Sequence, residues 1–239
     1  MTPIVFVHGF LGGSRQWQRQ VEALEGYDVI TLDLPGFGEN TQRDAFCSIS
    51  GFANWALNEL KLRNIEKYHL VGHSMGGMVA QEMVARAPKR VDRLVLYGTG
   101  SVGVLPGRFE TIDTSKTRAC ADGPKVTARR IAATWFLERE KAMEYELCAT
   151  IAQKSNLKAM LTGLDAMNSW SGAENLSAIK TPTLVIWGDR DRTYPWSQTE
   201  QLWQSIPNAN LAVIPNSAHA THLEKVELFN GVLRDFLVA

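Results

Sequence analysis

The segment Gly72–Gly76, with the sequence GHSMG, sets one serine among small residues where two different sequence patterns meet. The apolar run Tyr68–Val71 before it predicts a short buried strand, and Met78–Ala85 after it predicts a helix. A sharp strand-to-helix turn would hold Ser74 in a strained backbone conformation, with its hydroxyl at the sheet edge. The glycines fit because a side chain there would clash with the neighbouring strand and helix. Two glycines around a serine also occur by chance, so the prediction of a strand-to-helix turn rests on the apolar run before the segment and the helical pattern after it.

Short apolar runs recur along the chain, with helix-like stretches between them. Most show no alternation and are rich in Val, Ile and Leu, which is typical of strands covered on both faces of a parallel sheet. They are Ile4–Val7, Val29–Leu32, Tyr68–Val71, Leu94–Tyr97, Thr183–Trp187 and Leu211–Ile214. The stretches Gly51–Leu62 and Gly77–Ala87 fit crossover helices. This pattern predicts an α/β fold with a doubly wound, mostly parallel sheet of about six strands.

The alternation stops between residues 101 and 178, where the sequence shows no convincing strand. Helices are predicted instead over Thr127–Leu137, Arg139–Gln153, Asn156–Asn168 and, after the last strand, Leu223–Leu237. We interpret residues 101–178 as an inserted helical lid on a core formed by residues 1–100 and 179–239. Most large apolar lid residues, such as Trp135, are expected to pack onto the core, and a few to line an apolar pocket facing Ser74.

Composition limits the partners and the compartment. Lys plus Arg and Asp plus Glu both number 25, so the formal net charge is zero. This balance argues against nucleic acid or an anionic membrane as the main partner, because both favour basic patches. The three cysteines form an odd, sparse set that is typical of a reduced protein, and the N-terminal residues indicate neither signal peptide nor membrane span. We therefore expect a cytoplasmic protein, and its oligomeric state stays open.

A serine hydroxyl is a weak nucleophile at neutral pH and needs a base within hydrogen-bond reach. We favour His219, because it lies in a loop after the last predicted strand. Such loops at the carboxyl end of a parallel sheet commonly carry ligand-contacting groups. His222 stays as an alternative base, whereas His73 and His69 are expected to be packed, structural neighbours.

The residue that orients the base should follow a strand and come between Ser74 and His219 in the chain. The segment after Thr183–Trp187 offers Asp189 and Asp191. We favour Asp191, because the turn has then curved back over the sheet edge. Asp189 is expected to cap the turn through its own backbone.

Acyl transfer also needs two backbone N–H groups directed at the carbonyl oxygen on which charge develops. The N–H of Met75, at the amino end of the predicted helix, is one candidate. The other is the N–H of Phe10, in the loop His8–Gly13 after the first strand. His8 is expected to hold the shape of this loop by hydrogen bonding.

Five stretches together resemble the α/β-hydrolase fold superfamily over essentially the whole chain. They are His8–Gly12, Asp33–Gly38, Gly72–Gly77, Gly188–Asp191 and Ala218–Glu224. The resemblance implies that Ser74, Asp191 and His219 are the nucleophile, acid and histidine, with Phe10 and Met75 as oxyanion donors. It also implies a structural role for Asp33. Compared with the usual eight-stranded sheet, the first hairpin is expected to be missing.

The resemblance also narrows the chemistry. Ser74 in place of an aspartate disfavours haloalkane dehalogenases and epoxide hydrolases, and the chain is similar to small esterases, enol-lactonases and meta-cleavage-product hydrolases. This implies a serine hydrolase of a small-molecule ester or lactone that uses neither metal nor organic cofactor. Hydrolysis of a C–C bond in a vinylogous diketone stays open, as does a ligand-binding signalling module. Arg129 and Arg130 could bind a substrate carboxylate, although a solvated helix face is the favoured interpretation.

Overall fold

Six parallel strands form one sheet in this computed structural model, which describes residues 1–105 and 110–238. The strands are β1 Ile4–Val7, β2 Val29–Leu32, β3 Tyr68–His73, β4 Val91–Tyr97, β5 Thr183–Gly188 and β6 Ala209–Ile214. Their order is β2-β1-β3-β4-β5-β6, and every neighbouring pair is parallel. The predicted α/β fold with a six-stranded parallel sheet is therefore confirmed.

Helices cover both faces of the sheet. The described residues form α1 Gln18–Ala23, α2 Ile49–Leu62, α3 Met75–Arg86, α4 Ile112–Asp122, α5 Pro124–Thr134, α6 Tyr145–Ala152, α7 Leu157–Asn168, α8 Trp196–Ser205, α9 Thr221–Glu224 and α10 Val226–Val238. Along β1, Val5 and Val7 belong to one buried apolar cluster, and Ile4 and Phe6 belong to a second cluster. Successive side chains thus enter cores on opposite faces, which is why the strands show no alternation.

Two helix predictions are wrong in detail. The helix predicted over Arg139–Gln153 begins only at Tyr145, because a single turn at Arg139–Lys141 is followed by Ala142 in an extended conformation, with φ −62° and ψ 140°. The helix predicted over Leu223–Leu237 is divided, because Lys225 leaves the helical region with φ −132° and ψ 55°. The division leaves the short helix α9 directly after the loop of His219.

Helix α4 is not predicted from the sequence. The buried positions on this helix include Ile112, Ser115 and Ala119, and two of these three side chains are small. Such a face produces little apolar periodicity. Helices α4 to α7 all lie between β4 and β5 in the chain, within residues 101–178, and we call this part the helical segment. The part of the predicted lid at residues 106–109 lies outside the described residues.

Candidate active site

Ser74 occupies the turn between β3 and α3 in a strained backbone conformation. Its φ of 56° and ψ of −122° are unusual for a residue with a side chain, and strain of this kind costs about 1–3 kcal/mol. Neighbouring groups fix both of its peptide groups: Ser74 N–H donates to Tyr97 O at 3.0 Å, and Thr99 Oγ1 donates to Ser74 O at 2.8 Å. The serine side chain faces a cavity at the carboxyl edge of the sheet.

The glycines beside Ser74 are required by close backbone approach. A Cβ atom placed on Gly76 would lie 2.3 Å from Val7 O and 2.5 Å from His8 O. A Cβ atom on Gly72 would lie 2.5 Å from Gly76 O. Helix α3 can therefore pack against β1 only when these positions carry no side chain.

His219 lies in the loop between β6 and α9 and is 2% exposed. Its Nδ1 atom is 2.9 Å from Asp191 Oδ2. Because an ionised carboxylate can only accept, Nδ1 carries the proton and Nε2 keeps a lone pair that can act as a base. Ser74 and His219 line the same cavity, but no hydrogen bond joins the two side chains among the described residues. Such bonds commonly tighten only when the substrate is bound.

The two aspartates after β5 have different partners. Asp191 is 9% exposed, and its second oxygen, Oδ1, accepts from Thr193 N at 2.7 Å and Tyr194 N at 3.1 Å. Asp189 Oδ1 instead accepts from Ser217 N at 3.3 Å. The prediction that Asp189 caps its own turn is thus wrong: Asp191 caps it and also holds His219, whereas Asp189 binds the neighbouring loop.

The two candidate oxyanion donors lie beside Ser74. Phe10 lines the cavity, and a Cβ atom on the preceding Gly9 would lie 2.8 Å from Ser74 Cβ. Met75 is the first residue of α3, so its N–H has no acceptor within the helix. Within residues 1–105 and 110–238, neither the Phe10 nor the Met75 N–H donates to another backbone or side chain. Both donors can therefore bind a substrate oxygen.

The loop that contains Phe10 is held by His8. His8 Nδ1 donates to Gly9 O at 2.7 Å, and His8 Nε2 accepts from Leu34 N at 3.0 Å. Burial lowers the pKa of His8, which favours the neutral ring that these two bonds require. Asp33 fixes the other end of the loop, since it accepts from Ser14 N at 2.8 Å and Ser14 Oγ at 2.7 Å.

A group of aromatic and imidazole rings lies behind His219. The carbonyl oxygen of His219 accepts from Tyr97 Oη at 2.5 Å and from His73 Nε2 at 3.1 Å. His222 is 1% exposed and lies 3.1 Å from Tyr97 Oη through its Nδ1. Burial lowers the pKa of His222 to about 3 and holds that of His73 well below its ordinary value. His222 does not line the cavity wall among the described residues, so the alternative base lies away from the serine.

The described wall of the cavity is neutral and largely apolar. The cavity has a volume of about 30 Å³, enough for about two water molecules. Besides Ser74 and His219, its walls include apolar side chains of the helical segment and four further polar side chains, which are Gln16, His73, Thr193 and Tyr194. These apolar residues are Leu105, Ile131, Trp135 and Met167. No Lys, Arg, Asp or Glu lines it within the described part of the chain.

Arg129 and Arg130, the two candidates for binding a substrate carboxylate, form ion pairs with glutamates. Arg129 contacts the exposed Glu146 at 2.6 Å, and Arg130 contacts Glu110 at 2.9 Å. Neither belongs to the described cavity wall.

In residues 1–105 and 110–238, no group of three or more His, Cys, Asp or Glu side chains is arranged to hold a metal ion. None of the helices described is both long and apolar enough to cross a membrane.

Comparisons with known proteins agree with this architecture. The model of a family described as alpha/beta hydrolase fold matches residues 2–226. The chain is 32% identical over 250 residues to the 2-hydroxy-6-oxononadienedioate/2-hydroxy-6-oxononatrienedioate hydrolase of Paraburkholderia phymatum, covering 98% of this chain and 86% of that protein. It is 28% identical over 243 residues to a protein of Azorhizobium caulinodans with the provisional name carbamate hydrolase RutD, covering 98% and 91% of the two chains.

A solved structure shows the same fold. The enol-lactonase from Burkholderia xenovorans LB400 superposes with a TM-score of 0.91 at 22% identity, and the match covers 100% of this chain and 92% of that one. The family match spans all six strands, the serine turn and the loop of His219. The chain therefore belongs to the alpha/beta hydrolase fold family, as a hydrolase.

Proposed function

We propose that this chain is a serine hydrolase that cleaves a carboxylic ester or lactone through an acyl-enzyme on Ser74. The observation that carries the proposal is the 2.9 Å contact between His219 Nδ1 and Asp191 Oδ2, beside a strained serine in one cavity. This contact leaves His219 Nε2 as a base, so that Ser74 can lose its proton while it attacks the acyl carbon. The negative oxygen then receives hydrogen bonds from the N–H groups of Phe10 and Met75.

The reaction is completed by the reverse proton transfer. His219 gives its proton to the leaving alkoxide oxygen, and Asp191 stabilises the charged imidazole until then. Water then attacks the acyl-enzyme with His219 again as base, and the acid product leaves. In this proposal the helical segment is a lid, since Ile131, Trp135 and Met167 cover the cavity above Ser74.

The neutral wall of the cavity supports an uncharged ester or lactone. A buried carboxylate without a cationic partner would be strongly disfavoured, and the described wall contains no Lys or Arg. A second candidate is hydrolysis of a C–C bond, which the Paraburkholderia phymatum relative supports through its named substrate and 32% identity. That substrate is a dioate, so its two carboxylates would fit this wall poorly.

The acyl-enzyme is tested with a fluorophosphonate probe, which labels activated serines. We expect the wild type to be labelled, Ser74→Ala to give no label, and His219→Ala to react about 1000-fold more slowly. A wild type that is never labelled, or label that persists in Ser74→Ala, would contradict the mechanism.

The substrate class is tested by comparing 4-nitrophenyl butyrate and a γ-lactone with a dienone dicarboxylate. We expect kcat/KM for the neutral compounds to exceed that for the dicarboxylate by about tenfold or more, because the charged groups lack partners. The reverse order would favour C–C bond hydrolysis.

A further inference from the structure

The half-buried side chain of Glu224 bridges the loop of His219 and the helical segment. Its Oε2 atom accepts from Ala218 N at 2.6 Å, directly before His219 in the chain. Its Oε1 atom accepts from Leu137 N at 2.7 Å, in the helical segment. One carboxylate thus holds two backbone groups that are far apart in the sequence.

The residue on the other side of His219 is tied to the same place. Ala220 N–H donates to Trp135 O at 2.8 Å, and the Trp135 side chain lines the cavity above Ser74. Both neighbours of His219 are therefore bound to residues 135–137, Ala220 directly and Ala218 through Glu224. If residues 135–137 moved away, the hydrogen bond from Ala220 N to Trp135 O and the one from Leu137 N to Glu224 Oε1 would be lost together.

The chemistry of the bridge requires a carboxylate. Both partners of Glu224 are N–H donors, so both side-chain oxygens must accept. A glutamine offers only one acceptor, and its NH₂ group would face the second N–H donor. Burial raises the pKa of Glu224, while the two N–H groups and the nearby Lys225 and Arg192 charges favour the ionised form. Arg192 also donates to Phe136 O at 3.3 Å, which extends the contact to the turn of Asp191.

We propose that Glu224 is a positioning residue. It links the position of His219 to that of residues 135–137, so that the imidazole is placed correctly only when these residues lie over the cavity. The proposal rests on the proposed function, because it assigns the role of base to His219. A displacement of about 1 Å in a catalytic group can lower the rate about 100-fold. His219 would thus be correctly aligned with Ser74 only while the helical segment is closed over the bound substrate.

The first test separates kcat from KM in Glu224→Gln, with 4-nitrophenyl butyrate as substrate. We expect kcat to fall about 10- to 100-fold, because His219 loses one of its two ties, while KM changes by less than about threefold. Glu227→Gln is the matched control, since Glu227 is exposed three residues further along. It should leave kcat within about twofold of wild type. Equal kcat in Glu224→Gln and Glu227→Gln would overturn the proposal.

A double-mutant cycle separates positioning from general stability. In a His219→Ala background, Glu224→Gln should not lower the residual rate further, because its effect acts through the missing imidazole. A loss of the same size in both backgrounds, with a matching loss of folded protein by circular dichroism, would assign Glu224 to folding and overturn the proposal.

A third measurement does not depend on turnover. The proton NMR signal of His219 Nδ1–H, identified by its loss in His219→Ala, reports the hydrogen bond to Asp191. We expect this signal to shift and broaden in Glu224→Gln and to stay unchanged in Glu227→Gln. If Ser74→Ala keeps its turnover, the acyl-enzyme mechanism fails, but this signal still reports whether Glu224 places the imidazole. An unchanged signal in Glu224→Gln would overturn the positioning role.

Discussion

The two sides of the candidate site are built in different ways. Ser74 is fixed by the main chain of β3 and α3 and by glycines that bring α3 against β1. His219 is fixed by side chains from distant parts of the sequence, namely His73, Tyr97 and Asp191. Glu224, from the following helix, holds the adjacent residue Ala218. The turn of the candidate nucleophile is thus marked within one short stretch, although Tyr97 and Thr99 also hold its peptide groups. The position of the candidate base depends mainly on side chains from several parts of the chain.

This difference predicts two kinds of failure. Changes in the serine turn should damage folding, because its backbone cannot yield without moving the central strands. Changes around His219 should mostly leave the fold intact and lower kcat, because several side chains form hydrogen bonds to the same loop and the loss of one leaves the others in place. The following variants test the contrast.

The largest effect is expected for Asp191→Asn. The new amide can present its NH₂ group to His219 Nδ1, which favours the tautomer whose Nε2 carries the proton and cannot act as base. We expect kcat for 4-nitrophenyl butyrate to fall about 10⁴-fold while the thermal unfolding midpoint changes little.

Asp189→Asn is the matched control for this variant. Asp189 contacts Ser217 N and the Arg190 side chain rather than the imidazole, so its loss should lower kcat by less than about threefold. If Asp189→Asn were the more damaging change, the orienting acid would be Asp189.

Gly76→Ala tests the serine turn itself. The added methyl group would meet Val7 O at 2.3 Å and His8 O at 2.5 Å, and neither backbone atom can move without shifting β1. We expect the free energy of unfolding in urea to fall by about 3 kcal/mol or more.

Gly231→Ala is the control for an added methyl group. Gly231 lies within α10, and outside the adjoining backbone of that helix no atom of residues 1–105 and 110–238 lies within 4 Å of the Cβ position. Alanine is the better helix former, so this variant should gain up to about 1 kcal/mol. Equal unfolding free energies in Gly76→Ala and wild type would show that the turn between β3 and α3 is not rigidly packed against β1.

The same contrast explains what could be predicted from sequence. The strands and the serine turn leave local signals, because their apolar runs and small residues stand next to each other in the chain. The role of Glu224 leaves no such signal, since its partner Leu137 is 87 positions away. Tyr97 is read as an ordinary strand residue, although its hydroxyl holds the carbonyl of His219. Helix α4 is missed because the alanine and serine on its buried face give little apolar periodicity.

The buried histidines make stability depend on pH. Burial lowers the pKa of His222 to about 3, whereas a histidine in the unfolded chain titrates near 6.5. Between these values the unfolded chain binds one more proton, so the free energy of unfolding falls as pH falls from about 6.5 to about 3. The unfolding free energy changes by about 1.4 kcal/mol per pH unit in this range, so at pH 5 it is about 2 kcal/mol lower than at neutral pH.

His222→Gln removes this titration. We expect the loss of unfolding free energy between pH 7 and pH 5, measured in urea, to be about 2 kcal/mol smaller than in wild type. His73 and His8 keep their own contribution in both proteins, because burial lowers their pKa values as well. Identical pH slopes in the two proteins would mean that His222 has the same pKa in the folded and the unfolded chain, which would contradict the prediction.

The smallest effect on the rate is expected for Tyr97→Phe. This variant removes one of the two hydrogen bonds to the carbonyl oxygen of His219, together with the contacts of the hydroxyl to His222 Nδ1 at 3.1 Å and His222 N at 3.3 Å. Burial raises the pKa of Tyr97 well above its ordinary value, so the hydroxyl stays protonated and keeps donating. His73 Nε2 still donates to the same oxygen at 3.1 Å. We therefore expect a loss of about 1 kcal/mol in unfolding free energy and a fall in kcat of less than about tenfold.

Tyr27→Phe is the control, because the Tyr27 hydroxyl makes no hydrogen bond to any described residue and its loss should leave both quantities unchanged. A fall in kcat without a loss of stability in Tyr97→Phe would sharpen the contrast, because the hydroxyl would then serve the base alone. A loss of stability with kcat unchanged would break it. In that case the hydrogen bonds to the carbonyl oxygen of His219 would stabilise the fold without affecting the alignment of the imidazole. The alignment would then depend on Asp191 and Glu224.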